Sequence, residues 1–171
     1  MRRFSYIITA LLFLASASFA QKAAAAKADP AKDVRAVFDR LVEGIEQVDA
    51  AKVMSVYDNS ERTLFFNNNG SATIGWATMK DNREKSYAKT KNVSLDTTGV
   101  RVEVLSPTAA YVSFKWTQTQ EYDGKLEKGS GRTTLVMKKT GKEWKIVHLH
   151  TSPDSPPADR PVLPSERTPA T

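Results

Sequence analysis

The chain has 171 residues, of which 40% are hydrophobic, 26% are charged and none is cysteine. This composition is typical of one globular domain, and the lack of cysteine excludes disulfide scaffolds and thiolate metal sites. The formal charge is +6, from 25 Lys and Arg against 19 Asp and Glu. Without the two arginines of the N-terminal segment described next, 23 basic residues remain and the charge is +4, which is too mild to indicate a nucleic-acid partner.

The first twenty residues have the features of an export signal. Arg2 and Arg3 form a positive start, Ile7 to Ala17 form an apolar stretch, and Ser18-Phe19-Ala20 places small residues at positions −3 and −1 of a cleavage site. A membrane-spanning helix needs about 20 apolar residues, and this stretch is shorter. We therefore expect residues 1–20 to be a cleaved signal peptide and the mature chain to be secreted or periplasmic, with no membrane contact after cleavage.

Two segments flank the predicted fold. Residues 21–28 are rich in Ala and Lys and have no hydrophobic periodicity, which is typical of a linker. Six of the eight prolines lie in the last nineteen residues, and proline interrupts both helices and sheets. Residues 153–171 are therefore predicted to be a disordered Pro-rich tail, with a docking segment as the alternative. The folded unit is predicted to span residues 29–152.

The first half of this unit has the periodicity of helices. Asp29-Pro30 is a helix start, and the apolar residues that follow share one helical face: Val34, Val37, Phe38, Leu41, Val42, Ile45 and Val48. A short second helix is predicted after Asp49, and a third over Trp76 to Ala88. Between them, a strand at Thr63 to Phe66 runs into an Asn-rich turn.

From Asn92 onward the apolar residues recur at every second position, which is typical of strands. The predicted strands are Val100 to Leu105, Ala110 to Tyr122, Gly131 to Lys139 and Trp144 to Thr151. Helices followed by an antiparallel meander predict an α+β fold in which a curved sheet wraps the first helix. Such an arrangement commonly leaves a pocket between helix and sheet.

Several motifs carry a family resemblance. They are the short helix beginning at Asp49, Gly75 before a helix, the run Val100 to Leu105 followed by Ala110-Tyr111-Val112, and the ending Gly141 to Ser152. Together they resemble the SnoaL-like branch of the nuclear-transport-factor-2-like superfamily, over about residues 34–152. The resemblance implies a cone-like fold with N-terminal helices packed on a curved, mainly antiparallel sheet. The superfamily contains enzymes, binding modules and assembly domains, so the resemblance leaves the function open.

The last strand, with its Trp, its His-x-His and its nearby Ser, is similar to the association domain of calcium/calmodulin-dependent protein kinase II. Basic pocket positions of that domain align with Thr151, Lys115 and Thr134. Extended to the neighbouring strands, this alignment predicts a pocket lined by Tyr111, Ser113, Lys115, Arg132, Thr134 and Thr151. Lys115 and Arg132 would favour a small carboxylate or another anion. The alternative is that both side chains extend to the rim around an apolar pocket.

The opposite strand faces are predicted to form a contact between two subunits. The residues assigned to this dimer face are Phe114, Trp116, Tyr122, His148 and His150. Aromatic side chains of this size are expected to be covered, and a second copy of the chain would cover them. A His-x-His pair needs a third ligand to bind zinc, so no metal is predicted, and no cofactor either.

These expectations combine into one functional hypothesis with two alternatives. The chain is expected to be an exported homodimer that binds a small organic molecule, either an anion or an apolar compound, in its pocket. The first alternative is an isomerase or cyclase that works by proton transfer in the same pocket. The second is an assembly module that acts through its sheet face. No catalytic residue is assigned.

Overall fold

The structure, a computed structural model, describes residues 29–154. The predicted signal peptide (1–20), the predicted linker (21–28) and residues 155–171 of the predicted tail lie outside the described residues. The helices are α1 (Pro30–Glu46), α2 (Ala50–Ser55) and α3 (Trp76–Tyr87), and the strands are β1 (Leu64–Phe66), β2 (Ala72–Ile74), β3 (Thr90–Ser106), β4 (Ala109–Tyr122), β5 (Lys125–Thr140) and β6 (Glu143–Pro153). None of these helices is long and apolar enough to span a membrane.

The strands form one sheet in the order β2-β1-β6-β5-β4-β3. The four long strands β3 to β6 pair antiparallel as the predicted meander. The short strand β1 joins the sheet by running parallel to β6, and β2 pairs antiparallel with β1. The α+β class with helices packed on a curved, mainly antiparallel sheet is confirmed.

Local sequence signals explain where the first two helices begin. Asp29 accepts a hydrogen bond from the Ala31 amide at 3.1 Å, next to Pro30 in the first turn of α1. Asp49 accepts from the Lys52 amide at 2.8 Å at the start of α2. Each side chain satisfies an amide group that would otherwise lack a partner at a helix N-terminus.

The core lies between α1 and the concave face of the sheet. Val34, Phe38 and Leu41 of α1 are buried, and the Phe38 ring meets the Phe114 ring edge-on, with centroids 4.9 Å apart. Buried side chains of β4, β5 and β6 complete the core: Val112, Leu135, Met137, Trp144 and Ile146. Because Phe114 packs under α1, the even-numbered residues of β4 face the helices.

This orientation corrects the strand phase predicted for β4 and β5. Thr151 pairs with Thr133, and Thr133 pairs with Phe114. The prediction from the sequence places Thr151 on the same sheet face as Arg132 and Thr134 instead. The predicted and observed pairings of β5 with β6 therefore differ by one residue. A one-residue slip moves every side chain of a strand to the other face. Tyr111, Ser113, Lys115, Arg132 and Thr134 therefore lie on the convex face of the sheet.

A β-bulge sets the orientation of the last strand. Val136 pairs with His148 but Met137 pairs with Ile146, so Val147 is an extra residue in β6. The bulge lets Trp144 and Ile146 face the core while His148 and His150 face outward. Strict alternation along the predicted last strand places Trp144 and Ile146 on the same face as the histidines, and that part of the prediction is wrong.

Candidate functional site

A cavity of about 500 Å³ opens between the helices and the concave face of the sheet. Its walls are mixed. Apolar side chains come from α1 (Leu41, Ile45), α3 (Met79) and the sheet (Phe114, Leu149), and polar side chains make up the rest of the lining. The side of α3 that lines the cavity is fixed by helical spacing, because Met79, Arg83 and Tyr87 recur at i, i+4 and i+8. The volume lies in the range of sites for small organic molecules.

Arg83 brings a positive charge into this cavity. Its guanidinium carbon lies 5.2 Å from the centre of the Tyr87 ring, a cation–π geometry. The Arg83 Nε atom and the Tyr87 hydroxyl are buried, and neither has a hydrogen-bond partner within the described part of the chain. Buried polar groups of this kind are normally paired, so each requires an explanation.

The cavity lining contains no opposing charge within residues 29–154. No Asp, Glu or His side chain is among the described residues that line it, and the ion pairs found in residues 29–154 do not include Arg83. In the same part of the chain, no group of three His, Cys, Asp or Glu side chains could hold a metal ion. Arg83 is therefore the one charged residue among the described residues that line the cavity.

Two tyrosines beside Arg83 are held in their neutral form. Burial raises the pKa of the Tyr57 hydroxyl, and the positive charge of Arg83 only partly opposes this. The pKa of Tyr87 is raised for the same reason, with Arg83 again acting in the opposite direction. A neutral phenol donates a hydrogen bond but is a poor base. These residues are thus suited to donate to a bound oxygen atom.

A hydroxyl cluster on the sheet fixes the wall opposite α3. The Trp116 indole donates from Nε1 to the Thr151 hydroxyl at 3.2 Å, and the Thr133 hydroxyl donates to the same oxygen at 2.8 Å. Thr151 Oγ1 also lies 3.3 Å from the Arg132 carbonyl oxygen, to which it donates. These bonds connect β4, β5 and β6 across the concave face and hold the indole in one position.

Comparison with known proteins assigns the family. Residues 34–156 match the SnoaL-like domain. The chain belongs to the SnoaL-like family. No functionally curated protein matches its sequence.

Solved structures share the fold of this SnoaL-like domain. A nuclear transport factor 2-like superfamily protein from Salmonella enterica serovar Typhimurium is 21% identical with a TM-score of 0.66, and the match covers 74% of this chain and 92% of that one. A ketosteroid isomerase-like protein from Erwinia carotovora atroseptica is 14% identical, with a TM-score of 0.64 and coverage of 75% and 98%. A protein from Xanthomonas campestris, provisionally assigned as a calcium/calmodulin dependent protein kinase II association domain, is 19% identical, with a TM-score of 0.58 and coverage of 71% and 86%. The suspected family and its similarity to association domains are thus confirmed, and at these identities the likeness shows the fold alone.

Of the predicted pocket residues, Thr151 lines the cavity of the SnoaL-like domain. The other five, which are Tyr111, Ser113, Lys115, Arg132 and Thr134, are not among the described lining residues. Lys115 pairs with Arg132, and Ser113 with Thr134, on the convex face. The Arg132 guanidinium lies 3.6 Å from Asp154 there. The charge predicted for the pocket is therefore supplied by Arg83, not by Lys115 and Arg132.

The predicted dimer-face residues divide between the two sides of the sheet. Phe114 and Trp116 line the cavity, and Tyr122 shares their strand face by alternation. His148 and His150 are on the convex face as predicted, where each ring centre lies 5.5 Å from that of Phe66. The role of the histidines in a dimer stays a prediction.

Arg83 is the residue that the sequence interpretation missed. The spacing of Trp76, Met79, Arg83 and Tyr87 on one face of a helix was visible in the sequence. An arginine in line with Met79 and Tyr87 is unusual, because that side of the helix packs inward and burying a charge is costly unless it is paired. That signal could have identified Arg83 as a site residue.

Proposed function

We propose that this SnoaL-like protein is exported and binds a small organic anion in its cavity, with Arg83 holding the anionic group. The observation that carries the proposal is the Arg83 side chain, whose Nε is buried without a hydrogen-bond partner in the described part of the chain. A buried polar atom without a hydrogen-bond partner is destabilising. An anion that enters the cavity would supply the missing partner through charge-assisted hydrogen bonds.

The rest of the cavity limits what the anion can be. The apolar side chains of Leu41, Ile45 and Met79 favour a ligand with an apolar part that packs against them. The neutral hydroxyls of Tyr57 and Tyr87 are suited to donate to a carboxylate or carbonyl oxygen beside Arg83. A carboxylate on an apolar body is the simplest molecule with these properties.

The alternative of an isomerase or cyclase has less support. Proton-transfer catalysis needs a base close to the substrate, and the described lining residues of the cavity contain no carboxylate or imidazole. The tyrosines are weak candidates because their pKa values are raised. The solved neighbour named as ketosteroid isomerase-like keeps this alternative open.

The central experiment compares two arginines. We expect several small organic acids to stabilise the mature protein in a thermal-shift screen. Arg83→Met should weaken binding roughly tenfold to a hundredfold, because one charge-assisted hydrogen bond of about 1.5–3 kcal/mol is lost. Arg132→Met is the matched control, because this arginine lies on the convex face and should leave binding unchanged.

The outcomes of this comparison are distinct. Loss of binding in Arg132→Met with full binding in Arg83→Met would show that Arg132 faces the cavity, as the sequence predicts. That result would refute the proposal. A screen in which no acid binds the wild type would refute it as well.

Export and dimerisation are part of the proposal. The N-terminal residues support export, and the sequence of the exported protein should begin near Gln21.

The exposed side chains Phe66 (41% exposed) and Val136 (37% exposed) beside His148 and His150 support a subunit contact on the convex face. Val136→Glu should then halve the mass measured by light scattering, because it would bury an unpaired charge in the contact. A wild-type protein that is monomeric at micromolar concentration would remove the dimer from the proposal.

A further inference from the structure

The cavity of the SnoaL-like domain continues into a second, outer cavity of about 380 Å³. The two share Asn68, Trp116, Gln118 and Gln120, so they are parts of one continuous opening. The outer part adds Glu127, Lys128 and Gly129 of β5 and contains a single aromatic side chain among the described residues, that of Trp116. The inner part has a mixed lining that includes the positive charge of Arg83, whereas the outer part, called the mouth below, is lined by polar side chains apart from Trp116 and Gly129.

The Trp116 indole forms a fixed flat wall where the inner cavity meets the mouth. Its Nε1 donates to Thr151, which holds one edge of the ring. The six-membered part of the ring lies against β5 at two glycines: a Cβ on Gly131 would come within 2.8 Å of Cζ2, and one on Gly129 within 3.5 Å of Cζ3. The absence of side chains at these positions lets the ring lie against the strand. Trp116 is half-buried and lines both cavities, so part of its ring is open to a ligand.

A chain of hydrogen bonds orients the polar groups next to this ring. Gln118 Nε2 donates to Gln120 Oε1 at 2.7 Å, and Gln120 Nε2 donates to Glu127 Oε2 at 2.8 Å. Each carboxamide nitrogen carries a second N–H, and the Gln118 carbonyl oxygen accepts no side-chain hydrogen bond from residues 29–154. The mouth therefore presents oriented donors and acceptors beside one aromatic surface.

This combination matches one ligand chemistry better than others. A pyranose ring has a face of C–H groups that packs on an aromatic ring, and hydroxyls that both donate to carbonyl or carboxylate oxygens and accept from amide N–H groups. An aromatic or aliphatic ring in the same position would cover the amides of Gln118 and Gln120 without pairing them. Covering unpaired polar groups lowers affinity.

We propose that the mouth is a subsite for a saccharide ring held on Trp116 by Gln118, Gln120 and Glu127. The ligand would then carry a hydroxylated ring outside the group that reaches Arg83. This inference rests on the proposed function only for the anionic part of the ligand, which binds Arg83. A neutral saccharide would bind in the mouth without contacting Arg83.

The test uses neutral methyl glycosides and short neutral oligosaccharides as probes, with binding measured by ligand-observed NMR and calorimetry at millimolar concentration. Trp116→Leu should weaken binding about tenfold or more, since the aromatic surface is lost. Gln120→Leu should weaken it by roughly two- to tenfold, the value of one neutral hydrogen bond. Tyr111→Leu, on the convex face of the same strand, is the matched control and should have no effect. Circular dichroism identifies any variant that fails to fold, and Gln120→Leu keeps the test valid if Trp116→Leu does fail.

Arg83→Met separates this proposal from the proposed function. It should leave the binding of neutral glycosides unchanged while it weakens the binding of organic acids. Loss of glycoside binding in Arg83→Met alone would place the sugar in the inner cavity and overturn the mouth subsite. The absence of any glycoside binding at millimolar concentration would overturn it too, whether or not organic acids bind.

Discussion

Replacing Gly131 by alanine tests the packing that positions the cavity wall. A Cβ at this residue would overlap the carbonyl oxygen of Ser152 on β6 and lie 2.8–2.9 Å from two atoms of the Trp116 ring. The indole would have to move and would lose its hydrogen bond to Thr151. Forced overpacking costs about 1–3 kcal/mol, and a lost hydrogen bond costs about 0.5–1.5 kcal/mol. We expect Gly131→Ala to lower the free energy of unfolding by about 1.5–4.5 kcal/mol.

Gly129 provides the matched control because it lies two residues away on the same strand face. A Cβ there would make ordinary contacts of 3.5 and 3.6 Å with the Trp116 ring. Alanine in a strand interior is more stable than glycine by about 0.5–1 kcal/mol, so Gly129→Ala should be neutral or stabilising. Urea denaturation followed by circular dichroism measures both variants. Equal effects of the two substitutions would show that Trp116 does not lie against Gly131 and would refute the description of this wall.

Three further predictions test the core, a helix start and the buried tyrosines. Phe38→Ala should lower the free energy of unfolding by about 3–5 kcal/mol, because it removes a fully buried ring; a loss below about 1 kcal/mol in urea denaturation would contradict the packing of α1 on the sheet. Asp49→Ala should cost about 1 kcal/mol through loss of the cap of α2, whereas Asp81→Ala, which breaks an exposed ion pair, should cost only about 0.3–0.5 kcal/mol. Burial raises the pKa of Tyr57 and Tyr87 above the usual value of 10.0, so the stability linked to them is present below about pH 10 and is lost as the pH rises further. Replacing both by Phe should move the alkaline unfolding midpoint to higher pH, and ionisation of these two tyrosines in the folded protein, seen by ultraviolet absorbance with unchanged circular dichroism, would contradict their burial.

The sequence by itself determined the elements whose signals are local. The apolar face from Val34 to Leu41, with Asp29 as the cap, indicates α1 because side chains three and four residues apart share one side of a helix. The alternation from Asn92 onward indicates the meander because consecutive strands joined by short turns pair with each other. The same order of elements carried the resemblance to the SnoaL-like family, which the comparisons confirm.

Only the tertiary structure decided which strand face is the concave one. Alternation shows that Phe114 and Lys115 point to opposite sides of β4, but both sides of this strand contain large side chains. Which of the two faces is concave depends on the pairing of Phe114 with Thr133 and of Thr133 with Thr151. It also depends on α1, which covers the face that contains Phe114. Register is a relation between strands, and a slip of one residue exchanges the two faces.

The identity of the charged residue in the cavity was also decided in three dimensions. Helical spacing placed Arg83 and Tyr87 on one face of α3, yet it did not show that this face would cover the concave side of the sheet. That arrangement depends on contacts between distant segments, such as the Trp76 indole donating to the Met54 carbonyl oxygen at 2.9 Å. Similarly, the bulge at Val147 has no local sequence signal, because it arises from the pairing of β5 with β6. Local periodicity thus determined the elements, and long-range pairing and packing determined which side chains meet in the cavity.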